Sequence, residues 1–274
     1  MNRVTPLVRT PAVALESFDH VPGVAHQDPE EERAVSHALC FVDHGSFRAA
    51  VGGVWRTVTA HHLFATTRGL PFACRHDDEY PEDRCLVVRY SESAVESLRG
   101  QGVPEVAGVL PLTNRRAYLR RALGDSGDPA RTEALAGELF ATLAPARGPD
   151  RPLFRADQLA WYAHRLERAK ELIHARFAEP VSLSLLAREC GMSLYHFARI
   201  FRELEGQPPH RYLVEVRLKA AAARLQAGAT VTETCHAVGF GSLSHFVTSY
   251  RRRFGQPPGT VGRNRPRRLL DSPP

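Results

Sequence analysis

The sequence contains one long stretch twice. Gly191–Pro209 and Gly239–Pro258 align so that Ser193 falls on Ser242, Leu194 on Leu243, His196-Phe197 on His245-Phe246 and Arg202 on Arg251. Gly206-Gln-Pro-Pro falls on Gly255-Gln-Pro-Pro. A single offset of 49 residues serves all these pairs, dropping to 48 at Gly191/Gly239 because the second copy has one extra residue in its turn. A supersecondary unit present twice in one register must fold the same way twice, which removes most alternative architectures for this part of the chain.

Each copy has the parts of a helix-turn-helix. In the first, Ser182 caps a short helix, Leu183 to Glu189, whose inner face is Leu183, Leu186, Ala187 and Cys190. Gly191 supplies the left-handed turn residue, and Ser193 caps a second helix of about 194–204. Phe197, Ile200, Phe201 and Leu204 fall on one stripe of that helix at helical spacing. In the second copy Thr230 or Thr232 caps, Cys235 and Val238 face inward, Gly239 turns and Ser242 caps. Phe246, Ser249, Tyr250 and Phe254 then take the inner positions, Ser249 being a small, weak member. Between the copies, Tyr212 to Gln226 has no Gly or Pro and reads as one unbroken helix before Gly228. Such a rod holds two recognition helices, 193–204 and 242–254, at fixed separation. Helices about one DNA turn apart, roughly 34 Å, enter successive major grooves.

Charge points the same way. Residues 1–150 carry 16 Lys+Arg against 20 Asp+Glu, and residues 151–274 carry 20 against 10. Only the second half is suited to a polyanion. Arg251-Arg252-Arg253 and Arg263 to Arg268 read as phosphate neighbours, or as a solvated face and tail.

The first half has a different rhythm. Residues 1–35 are rich in Pro and acids and predict a loosely ordered entry with one short strand. Ala38–Val42, Phe47–Val51, Val54–Val58, Leu63-Phe64, Leu70–Phe72 and Cys85–Tyr90 predict short strands, and Gly52-Gly53 predicts a hairpin turn. Short strands so closely spaced suggest a small barrel or sandwich. Helices follow over Ser91–Leu98, Asn114–Leu123 and Pro129 to about Leu143. The expected organisation is α+β. A small N-terminal β-barrel with helices (1–144) is followed by a Pro/Gly-rich linker (145–158) and an all-α domain of two helix-turn-helix units joined by a linker helix (159–268).

The second half resembles the C-terminal domain of the AraC/XylS family of bacterial transcription regulators. The resemblance covers about residues 160–262. It rests on Leu186-Ala187, Ser193, Phe197, Arg199, Phe201, Gly206, Pro209, Tyr212-Leu213, Arg217-Leu218, Ala221 and Leu225, then on Val238-Gly239-Phe240, Ser242, Phe246, Tyr250-Arg251, Phe254-Gly255 and Pro258. It implies a two-part DNA-binding domain with double-stranded DNA and RNA polymerase as partners, and activation as the usual outcome. By the same resemblance, Tyr195, Ala198 and Arg199 contact base edges in the first unit, and Leu243, Ser244, Val247 and Thr248 in the second. Arg202 and Arg251 project from the outer faces and complete the candidate DNA-binding set. Arg199 is the guanine candidate, since its planar fork matches O6 and N7. The second helix is apolar where many members carry Gln or Arg, and Thr234-Cys235 stands where Ile-Ala is commoner. This departure points to thymine methyls and backbone rather than hydrogen-bond readout.

The first half resembles, less specifically, the cupin-like arm of that family, through Gly45-Ser46, Gly52-Gly53 and the Pro81-x-Asp83-Arg84-Cys85 approach to a strand. That implies a small-molecule effector site. Helices at about 114–124 and 129–143 then serve a homodimer or pack within the domain.

Residues of metal-ligand type are His61, His62, Cys74, His76, Asp77 and Glu79. The His-x-His, Glu and distal His pattern of enzymatic cupins is missing, so the reading is polar surface or pocket lining, with no metal and no cofactor. Cys74 and Cys85 form a candidate redox pair across strands. The five cysteines are widely spaced and predict reduced thiols, and no run of about 18 apolar residues exists, so a cytoplasmic location without a membrane span is expected. No nucleophile elbow, P-loop or dinucleotide fingerprint occurs, and the chain is not read as an enzyme. The alternative is a cupin-type metal-dependent or thiol-reactive enzyme or sensor with a DNA-binding appendage.

Overall fold

The structure is a computed structural model that describes residues 3–20, 31–76, 83–144 and 152–261. The chain divides into two compact units, Met1–Arg155 and Ala156–Pro274.

In the first unit, β1 (Arg3–Arg9), β2 (Val13–His20), β4 (His37–His44), β7 (His62–Thr66), β9 (Asp83–Tyr90) and β10 (Gly108–Pro111) form one antiparallel sheet. The strand order is β1-β2-β9-β4-β7-β10. β3 (Glu32–Arg33), β5 (Phe47–Val51), β6 (Val54–Val58) and β8 (Pro71–Arg75) form a second sheet, ordered β3-β8-β5-β6. The expected barrel is therefore not closed: among the described residues the strands are hydrogen-bonded into two separate sheets. Their facing sides meet in a core of Ala38, Val42, Cys85 and Val87 from β4 and β9, Phe64 from β7, and Phe47, Ala49 and Val58 from β5 and β6.

Strand patterning explains this placement. In β9, Cys85 and Val87 point into the inter-sheet core, while Leu86, Val88 and Tyr90 alternate to the other face. Both sets are buried, which is why this strand reads as a continuous apolar run. The second face is covered by helix. The Tyr90 ring meets Phe140 at 5.0 Å, and its hydroxyl donates to the Ala136 carbonyl at 2.8 Å. Both partners lie on α3 (Pro129–Ala141), which follows α1 (Glu92–Gly100) and α2 (Asn114–Gly124). Burial pushes the Tyr90 phenol well above its usual range.

The predicted hairpin is present: Val51 pairs with Val54, and Gly52 and Gly53 take φ of 59° and 77°. Two left-handed residues in succession make the tight turn that a right-twisted strand pair needs. The N-terminal entry differs from expectation. Instead of loose chain with one strand, β1 and β2 form a hairpin, closed where Thr10 Oγ1 accepts from the backbone N–H of Ala12 and Val13. Its ordering comes from β9, which pairs with β2 from Val13↔Tyr90 to His20↔Asp83. A partner about seventy residues away leaves no local signal in the sequence.

The second unit is helical throughout its described residues: α4 (Ala156–Arg176), α5 (Leu183–Glu189), α6 (Leu194–Glu205), α7 (Pro209–Gln226), α8 (Val231–Ala237) and α9 (Leu243–Phe254), then a 3-10 turn at Pro258–Thr260. α4 begins at Ala156, inside the stretch expected to be linker; residues 145–151 lie outside the described residues.

Candidate nucleic-acid interface

Each recognition helix is fixed at both ends by its own sequence. Ser193 Oγ accepts from His196 N–H ahead of α6, and Ser242 Oγ accepts from His245 N–H ahead of α9. Each hydroxyl satisfies one of the orphan donors of a first turn. Both helices run 12 residues and end on a left-handed glycine, Gly206 at φ 70° and Gly255 at φ 74°. Thr230, rather than Thr232, caps α8, and Glu233 reaches back to complete a capping box. That contact holds the Glu233 carboxyl below its usual range. The turns also match, with Gly191 at φ 64° and Gly239 at φ 85°.

The inner stripe of α6 is buried as expected; on α9 Phe246 and Tyr250 are buried, while Ser249 and Phe254 are half-buried. Phe197, Ile200, Phe201 and Leu204 are fully inaccessible. At about 1.5–3 kcal/mol for each large apolar side chain, they anchor α6 firmly. Phe246 and Tyr250 do the same for α9, in a core with Leu218, Ala221 and Leu225 of α7, Cys235 of α8, and Val238 and Phe240 of the turn that follows α8. α7 spans roughly 27 Å at 1.5 Å per residue. It starts at Pro209, three residues before the predicted Tyr212.

The opposite faces carry the predicted contact residues. Tyr195 is 82% exposed, and Leu194 and Leu243, at equivalent positions, are 48% and 42% exposed. Ser244, Thr248, Arg202 and Arg251 are exposed, while Ala198 and Arg199 are half-buried. Val247 is half-buried against the second core, so it offers at most a methyl edge. Arg253 is engaged within the chain, paired with Glu215 and lying over the Phe254 ring. Arg263 to Arg268 lie outside the described residues.

Sequence reading missed the groups that set Arg199. Its Nη2 donates to His196 Nδ1 at 3.2 Å, and its Nη1 stands 3.9 Å from Glu203 Oε2. His196 Nε2 meets the Tyr162 hydroxyl of α4 at 3.1 Å. Burial and then the Arg199 charge hold the His196 imidazole below its ordinary range, consistent with a neutral ring that accepts from Arg199. The one available signal was that His recurs in both copies. His245 has a different task, packing on the Phe240 ring at 5.4 Å.

The metal-type residues do not assemble as a set. His62 Nδ1 bonds Thr59 within a turn, and His61 is exposed in that turn. Asp77 and Glu79 lie outside the described residues. His76 instead joins His20 and Asp83. The thiol that interacts with Cys85 is Cys40, diagonal to it across β4 and β9, in place of the expected Cys74. Cys40 and burial push the Cys85 thiol far above its ordinary value. All five cysteines are free thiols.

Two matched capped helices on one rod, with apolar stripes buried and polar faces outward, define a tandem helix-turn-helix unit of the kind that binds DNA. Residues 186–264 match the helix-turn-helix domain family. The chain is 31% identical over 160 residues to the HTH-type transcriptional regulator GlxA of Rhizobium meliloti, covering 57% of this chain and 47% of that protein. It is 35% identical over 86 residues to the HTH-type transcriptional activator RhaS of Pectobacterium carotovorum, covering 31% of each chain. A solved structure of a probable AraC family transcriptional regulator from Rhodopseudomonas palustris has 32% identity and a TM-score of 0.36, covering 38% of this chain and 99% of that one. Through this unit the chain belongs to the AraC/XylS family of DNA-binding transcription regulators. It spans between about a third and a half of the length of the curated relatives it matches.

Proposed function

We propose that the chain is a sequence-specific, effector-controlled transcription regulator, acting as an activator. Its recognition helices α6 and α9 enter successive major grooves of one duplex. Tyr195, Ala198, Arg199 and Arg202 serve the first half-site, and Leu243, Ser244, Val247, Thr248 and Arg251 the second. Residues 159–268 form the DNA-binding domain. Residues 1–144 form the cupin-like effector-binding or dimerisation domain. RNA polymerase is the downstream partner, and a homodimer is the proposed assembly. No described helix is long and apolar enough to cross a membrane.

The observation that carries this reading is the equivalence of α6 and α9. They match in length, N-cap, glycine stop and exposed first residue, and both pack on α7. Packing needs alone do not require an exposed Tyr195 beside an exposed Leu194 at one helix start and an exposed Leu243 at the other. Selection of bound duplexes from random DNA tests it. The expected product is one site with two boxes about 10 base pairs apart centre to centre. Recovery of no preferred sequence contradicts it.

A further inference from the structure

One cluster in the first unit is not used by DNA binding. His20 ends β2, Asp83 begins β9 directly opposite it in the strand register, and His76 follows β8 of the other sheet. His76 Nε2 lies 3.1 Å from Asp83 Oδ1. The His20 and His76 rings stack at 3.7 Å with 11° between their planes. One donor atom from each of the three residues lies within 4.8 Å of the other two. His20 and Asp83 are 2% and 4% exposed.

From this geometry we infer a binding site for one divalent transition-metal ion, held by His20, His76 and Asp83, that clasps the two sheets together at the end of their shared core. The donor set is two neutral imidazoles and one carboxylate, which suits zinc, cobalt or ferrous iron and not calcium or magnesium. A carboxylate this deeply buried needs a compensating positive charge. A metal ion supplies it while using both imidazoles. Ligand atoms on a shared ion sit about 2.0–2.2 Å from it and an imidazole binds in its own plane, so taking up the ion requires the stacked His20 and His76 rings to rotate out of their parallel arrangement. His76 is wedged beside Phe47, with ring centroids 6.1 Å apart, and the Cys85 thiol donates to Asp83 Oδ2 at 3.5 Å. These contacts orient two of the three donors in the way that outer partners orient metal ligands. No reaction is assigned to the site, and the inference stands whether or not the chain binds DNA as proposed.

The test is titration of the untagged full chain, freed of metal by a chelator, with Zn(II) followed by calorimetry and Co(II) followed by its visible spectrum. One equivalent should bind with a rise in thermal midpoint, as ligands that favour the native state produce. Asp83→Asn, which keeps shape, and His76→Ala should each weaken binding by more than the roughly 10–100-fold that loss of an outer partner costs. The Co(II) spectrum of the unmodified chain decides the matter even where a variant fails to fold. Nitrogen and oxygen ligation supports the site. A thiolate charge-transfer band, no stoichiometric binding, or undiminished affinity in folded variants overturns it.

Discussion

Arg217 Nε donates to the Phe177 carbonyl oxygen at 2.7 Å, and its Nη2 reaches the Glu179 carbonyl at 2.9 Å. Arg217 lies on the rod α7, and the two carbonyls belong to the loop after α4. Carbonyls just past a helix end lack helical partners, and a guanidinium there answers both the hydrogen bonds and the negative end of the helix dipole. The same loop touches the second helix-turn-helix. A Cβ on Gly239 would stand 2.7 Å from Ala178 O and 3.0 Å from Arg217 Nη2. Rod, loop and second turn therefore meet at one point.

That meeting sets apart two glycines that look equivalent in sequence. Gly191→Ala brings a strained positive φ, with the nearest other atom, Arg165 Nε, 4.0 Å away. It should cost about 1–3 kcal/mol. Gly239→Ala brings the same strain plus a clash with backbone, and should cost more. Urea unfolding of the two variants checks the order. Equal losses would show that the close approach at Gly239 has no weight.

Glu205, 7% exposed, holds Lys170 Nζ at 3.0 Å and so ties α6 to α4. Burial by itself would lower the Lys170 pKa, but Glu205 and Glu167 outweigh it and the net shift is upward. Glu205→Ala should destabilise by about 1.5–3 kcal/mol, because Lys170 loses its buried partner and keeps Glu167, at 2.8 Å and more exposed. Glu167→Ala, at a more exposed carboxylate, should cost no more than about 1 kcal/mol. Chemical denaturation of both variants reads the contrast. A small loss at Glu205 would mean that the pair does not hold the helix.

His196 predicts a pH dependence of specificity. Its folded pKa lies below the ordinary 6.5. The unfolded chain therefore takes up the proton first, and the ring's contribution is complete above pH 6.5 and fades as pH falls below it. A protonated ring cannot accept from Arg199 and places a cation beside it, facing Tyr162 on the other side. Preference for the target over random duplex should fall as pH drops from 7.5 to 5.5. His196→Gln should flatten that profile. An unchanged profile in the variant would rule His196 out as the cause.

The salt dependence of binding follows from charge. If α6 and α9 together neutralise 6–10 phosphates, affinity should fall by about 10³–10⁵ between 50 and 200 mM salt. Arg251→Ala should make the slope shallower by about one and weaken target and random duplex alike. A slope near zero would indicate that no phosphate is engaged.

The DNA-binding half was legible because its signals are local. Ser193, Ser242, Gly191 and Gly239 cap and turn within a few residues of where they stand, and the Phe197–Leu204 stripe follows one helical period. The β-unit was less legible because its constraints are long-range. Val13 to His20 reads as indifferent chain until β9 lies beside it, and Asp83 is a routine acid until His20 and His76 arrive from other strands. The same holds within the interface. Nothing near Arg199 in the sequence announces that Tyr162, on α4, orients it through His196. The Cys40 neighbour of Cys85 has no local signal for a related reason, since diagonal neighbours across β4 and β9 depend on register.

The central claim is that α6 and α9 read one duplex in two successive grooves. The direct test is to select preferred sites for the unmodified chain, Arg199→Ala and Thr248→Ala, and compare them base by base. The account predicts that Arg199→Ala loses about 1–3 kcal/mol of discrimination at a guanine in one box, and Thr248→Ala relaxes only the other box, about one helical turn away. A single box, or two variants that relax the same position, would contradict it.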